Sequence, residues 1–71
     1  MKVIDLLQIT NIGQNIMITD VNGYTLFRGF KNQCIDNPLY THLMNLTVSH
    51  IYTHDSNVLL IMTKESKNEI I

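Results

Sequence analysis

The dipeptide Asn22-Gly23, set between two runs of β-branched, aromatic and aliphatic residues, constrains the fold of this chain more than any other feature. Both residues suit the positive-φ positions of a type I′ turn, so residues 15–30 are expected to form a β-hairpin with a two-residue loop. That loop fixes a register: Val21 opposite Tyr24, Ile18 opposite Phe27, Ile16 opposite Gly29. Because strand side chains alternate, the register sorts the hairpin into two faces. Ile16, Ile18, Phe27 and Gly29 share one; Met17, Thr19, Val21, Tyr24, Leu26, Arg28 and Phe30 share the other. The second is nearly as apolar as the first, whereas a hairpin in a simple two-layer domain leaves one face wet.

The remaining elements fall around this hairpin. Residues 2–9 place Val3, Ile4, Leu6, Leu7 and Ile9 on one broad helical face, with Asp5 and Gln8 outward. A strand is the competing assignment there, and Asn11 and Gly13 suit the turn that follows. Residues 31–35 read as a connection. Asp36-Asn37-Pro38 is a helix start, with Asn or Asp as N-cap and proline at the first helical position, and the helix is expected to end near Asn45. Residues 47–54 and 58–63 read as two further strands around a turn at residues 55–57. The expected architecture is one α+β domain over residues 1–71, in αββαββ order. It comprises a four-stranded, largely antiparallel sheet with short helices on one face, and residues 64–71 form a polar tail expected to fray.

With 71 residues, the chain has room for one small core, burying roughly 60% of its unfolded surface. Apolar residues make up 45% of it, too many for intrinsic disorder. Five basic and six acidic residues leave a net charge of -1, which gives no pull toward phosphate backbones or acidic lipid. The single Cys34 has no internal disulfide partner, and no secretory leader pattern is present, so the expected location is the cytoplasm. The longest apolar run, residues 58–62, is far short of the roughly 20 residues of a membrane-spanning helix.

Chemistry-bearing constellations are sparse. His50 and His54 would share one helical face, but TVSHIYTH is a strand sequence, and at 3.3 Å per residue the two lie about 13 Å apart, too far for one metal ion. Cys34 could serve as a thiol nucleophile only if a histidine converged on it, and nothing in its neighbourhood signals a lowered pKa. Asp5, Asp20, Asp36 and Asp55 are single, each with a helix end or turn to serve, and the glycines form no phosphate-binding loop. No catalytic, cofactor or metal residues are therefore assigned. Arg28 and Lys31 beside Tyr24, Phe27 and Phe30 would make a small nucleic-acid module, although two cations are a weak platform. What stands out is the surplus apolar surface at Met17, Val21, Tyr24, Leu26 and Phe30, with a two-sided strand at residues 58–62. Contiguous exposed apolar area marks an interface, so self-association as a homodimer or docking on another protein is the expected activity, with cover of both faces within the monomer as the competing reading.

The pattern KVIDLLQI, then IMITDVNGYTLFRG, then NVLLIMTK resembles short, uncharacterised proteins encoded by phages and prophages of Gram-positive bacteria. Gly29 after Phe27-Arg28 and the turn and strand of residues 55–61 match best. The resemblance implies an accessory or host-interaction role and carries over no functional residue.

Overall fold

A computed structural model describes residues 1–54 and 57–66. Helix α1 (Val3–Ile9) is followed by β1 (Asn15–Thr19) and β2 (Thr25–Phe30). Two one-turn helices, α2 (Asn32–Ile35) and α3 (Thr41–Met44), flank a 3₁₀ turn at Pro38–Tyr40, and β3 (Val48–His54) and β4 (Val58–Thr63) follow. The fold is α+β with a four-stranded mixed sheet of order β2-β1-β4-β3.

The sheet departs from the expected largely antiparallel one at its centre, where β1 and β4 run parallel. Each hairpin is antiparallel within itself. The physical reason is strand composition. A central strand has both faces to cover and reads as a near-continuous apolar run. NIMIT and VLLIMT fit that position better than VSHIYTH or TLFRGF, which carry the histidines and Arg28 to the edges. Bringing β1 beside β4 sends the helical connection across the sheet from one edge to the other. That connection is three single turns, and its first, α2, occupies residues expected to be plain connection.

The helices cover one sheet face. Val3, Leu6 and Leu7 of α1, Cys34 of α2, Leu43 and Met44 of α3, and Leu46 pack with Ile16, Ile18, Phe27 and Ile61 in one buried cluster. Tyr40 meets Phe27 edge-on at 4.9 Å between centroids, a geometry worth about 0.5–1.5 kcal/mol beyond area burial. Short helices depend on such packing and on their ends. The Asp5 carboxylate accepts from the Lys2 N–H at 3.1 Å, and the Lys31 ammonium donates to the Leu7 and Thr10 carbonyls at 3.0 and 2.6 Å, closing the C-terminal end of α1. Asn37, rather than Asp36, caps the 3₁₀ turn, its Oδ1 accepting from Leu39 N–H at 3.0 Å with Pro38 at the first position. Asp36 sits instead at the end of α2.

The first hairpin keeps the expected pairs Ile18–Phe27 and Ile16–Gly29 but not its two-residue loop. Asp20 N–H donates to Tyr24 O at 2.9 Å, and Gly23 N–H donates to Asp20 O at 3.1 Å, leaving residues 21–23 as a three-residue loop. Gly23 takes the left-handed position at φ 89°. Asp20 decides between the two loops. It is fully buried, and its Oδ1 accepts from Asn22 and Tyr24 N–H at 2.9 and 2.8 Å, so the carboxylate organises the turn from inside. Thr19 pairs with Thr25 rather than Leu26, so Leu26 is an extra residue bulged out of the ladder. At the other end of the chain, residues 64–66 are held in place. Lys64 N–H donates to Thr47 O, and Glu65 O accepts from Val21 N–H, both at 3.0 Å. Residues 67–71 and the turn residues 55–56 lie outside the described residues.

Candidate interaction surface

The face turned away from the helices follows from the register. Across the four strands, one row runs Arg28, Met17, Leu60, Tyr52; the row beside it runs Thr25, Thr19, Met62, His50. A third runs Phe30, Asn15, Val58 to the position of His54. None of these residues belongs to the helix-covered cluster. At the centre Met17, Leu60 and Met62 are half-buried by their neighbours, and Val58 and Thr19 are buried. Toward the edges Phe30 and Tyr52 stand 43% and 47% exposed, and Arg28 and His50 are exposed. The result is a thioether and leucine stripe flanked by aromatic rings, with one guanidinium at its β2 margin.

His50 and Tyr52 lie two apart on β3 and stack at 5.8 Å with 17° between planes. The His50 Nδ1 is also 2.7 Å from the Ser49 hydroxyl, so the imidazole is held against the strand. Asn15 Oδ1 and Thr19 Oγ1, both on this side of β1, are buried without a hydrogen-bond partner, a cost normally of about 1–3 kcal/mol per group. No family model, curated protein or solved structure matches the chain. The surface is therefore read from its own chemistry.

Of the five interface residues expected from sequence, the structure brings Met17 and Phe30 together on this face. Leu26, displaced by the bulge, packs half-buried against the helix-covered core. Val21 and Tyr24, 46% and 61% exposed, belong to the loop that Asp20 organises and lie beyond the sheet rows. The loop and bulge together dissolve the single face that the two-residue turn implied. Leu60 and Met62 carry the surface onto β4, with Val58 buried beside them. Their signal in the sequence is the two-sided apolar run of β4, and only the parallel pairing with β1 shows that it continues the Met17 side.

The other candidate groups are dispersed. Lys31 is turned to the end of α1 on the helix side, while Arg28 sits on the open face, so these two cations do not make one surface. Cys34 is fully buried within the core, with its Sγ 3.4 Å from Lys31 O. Burial pushes its thiol above the ordinary value, outweighing the hydrogen bond to its own backbone N–H, which favours the thiolate. His42 and His50 are exposed, on α3 and on β3. Among the described residues no three His, Cys, Asp or Glu side chains are grouped to hold a metal ion, and no helix is long and apolar enough to cross a membrane.

Proposed function

We propose that the chain is a small non-catalytic interaction protein that docks on a partner protein through the helix-free face of its sheet. The observation that carries this reading is the Met17–Leu60–Tyr52 row with Met62 and Phe30 beside it: apolar and aromatic side chains on the sheet face opposite the helices, outside the helix-covered cluster of the described residues. Methionines favour this use, because an unbranched thioether repacks to suit its partner. Phe30 and Tyr52 supply the large rigid rings that anchor interfaces. Nucleic-acid binding is the weaker reading, since the net charge is -1 and Lys31 is occupied at the helix end. The resemblance to phage and prophage proteins makes a host protein the partner to seek.

The test is capture from host lysate by immobilised wild type, Leu60→Lys, Met17→Lys and Tyr24→Asp chains, each first checked for folding by circular dichroism. A specific partner retained by wild type and Tyr24→Asp but lost with both lysine variants fits docking on the open face. Retention of the same partner by all four proteins would exclude that face as the docking site.

A further inference from the structure

We propose that the β3 edge of the sheet pairs with β3 of a second copy of this chain, antiparallel, across a two-fold axis at Tyr52. This contact uses the backbone edge of β3 rather than the open face, although Tyr52 borders both, and the inference stands on different observations.

The first is the asymmetry between the two sheet edges. An unpaired edge is a template for another strand, and monomeric proteins blunt it with charge, proline, a bulge or a covering segment. β2 carries such devices: the Leu26 bulge, an exposed Arg28, and Gln33 Oε1 accepting from the Phe30 N–H at 2.8 Å. β3, at seven residues the longest strand, contains no Lys, Arg, Asp, Glu or Pro, and its one register shift lies at its start, between Val48 and His50. Only its beginning is covered, where Val48 N–H donates to Met1 O at 2.8 Å and Val3 N–H to Leu46 O at 2.9 Å. Beyond Ser49 nothing among the described residues lies along it.

The second is which backbone groups point outward. Lys64 N–H donates to Thr47 O, so Thr47 faces β4 and Val48 faces Met1. The register then shifts between Val48 and His50, after which His50, Tyr52 and His54 pair with Met62, Leu60 and Val58. The alternation of an antiparallel ladder turns the backbone groups of these three toward β4. It leaves the N–H and C=O of Ile51 and Thr53 directed away from the sheet.

The third observation selects a second copy as the occupant. A two-fold contact must be self-complementary, residue i meeting j while j meets i. The sequence His50-Ile51-Tyr52-Thr53-His54 reads nearly the same in both directions. With the axis at Tyr52, Ile51 falls opposite Thr53 of the second copy, and each such pair exchanges both of its N–H···O bonds. Tyr52 then meets Tyr52 in the closer, non-bonded position, and His50 falls opposite His54. β-branched residues face each other, an aromatic faces an aromatic, and no permanently charged pair is juxtaposed. Ile51 and Tyr52, each 47% exposed on opposite sides of the strand, both gain cover. One strand edge is a small contact, so the dimer is reversible, with a Kd of about 1 μM or weaker.

Sedimentation equilibrium of the full chain over a wide concentration range tests the pairing. Thr53→Pro removes an outward N–H without touching the β3–β4 ladder and is expected to weaken dimerisation at least about tenfold. Ile51→Lys, which charges the same edge, provides a second route should the proline variant misfold. Tyr52→Cys is expected to oxidise to a disulfide-linked dimer much faster than Phe30→Cys, because only the former places two cysteines at the axis. A wild-type chain that stays monomeric at millimolar concentration overturns the proposal. So does a dimer indifferent to Thr53→Pro and Ile51→Lys. A dimer abolished by Leu60→Lys but not by Thr53→Pro also overturns it, placing the copies face to face instead.

Discussion

Strand β1 sends Ile18 into one face of the sheet and Met17 into the other, and β4 does the same with Ile61 and Leu60. The isoleucines are fully buried under the helices, whereas Met17 and Leu60, on the opposite side, are only half-buried, with no helix of the described residues packed over them. Adjacent residues of similar hydrophobicity thus have different tasks. The helix-covered face holds the fold together, and the open face is available to something outside it. The difference also explains the residue types. In these two pairs the covered member is a stiff β-branched isoleucine that packs in one way, while the open member is a methionine or leucine, which adapts.

The sharpest way to break this comparison is to truncate both members of a pair. Ile18→Ala should cost about 2–5 kcal/mol, because it leaves a cavity in a close-packed cluster. For a 71-residue domain whose total stability is on the order of 4–10 kcal/mol, that takes much of the margin. Met17→Ala, bounded on one side by solvent, should cost less than about 1 kcal/mol. Urea denaturation followed by circular dichroism reads both values. Equal losses would mean the two faces are equally covered and would remove the basis for a docking surface.

Much of this division is legible in the sequence, and the part that is not has a non-local cause. Ile16, Ile18 and Phe27 share the covered face because the pairs Ile18–Phe27 and Ile16–Gly29 depend on the body of the hairpin and not on its tip. The tip departs from the two-residue loop that Asn22-Gly23 implies, because that turn preference yields to the buried Asp20 carboxylate two residues earlier. No local propensity announces that an aspartate will be fully buried; that follows from the tertiary fold, where Val21 N–H also reaches Glu65 O. The parallel contact of β1 with β4 is likewise non-local. Residue types in β4 announced a two-sided strand, but which neighbour it would take depended on competition among all four strands for the centre of the sheet.

Crowding on the covered side of β2 gives a smaller effect. Gly29 lies opposite Ile16 with φ 153°, and a Cβ there would stand 2.5 Å from Gln33 Oε1 and 3.1 Å from the Phe27 ring. Gly29→Ala must strain the backbone and displace the Gln33 side chain that accepts the Phe30 N–H. A loss of about 1–3 kcal/mol is expected in thermal or urea unfolding. A neutral Gly29→Ala would show that this end of β2 yields easily, so that the β2 edge is less firmly closed than its hydrogen bonding indicates.

The smallest effect is a pH dependence that separates the faces by chemistry. Cys34 lies on the covered side, and burial raises its thiol above the ordinary 9.0. The folded state therefore holds this proton more tightly than the unfolded chain does. That contribution is fully present below the unfolded thiol's value and is lost as pH rises through the folded one, so stability should fall through the alkaline range. Cys34→Ala should flatten that fall while lowering stability overall. In the wild type the thiol should react with a disulfide reagent only as fast as the core opens, whereas a cysteine at Met17 on the open face should react far faster. Comparable rates at the two positions would place solvent on both sides of the sheet, against the buried cluster that Cys34 shares with Leu7, Ile18 and Ile61.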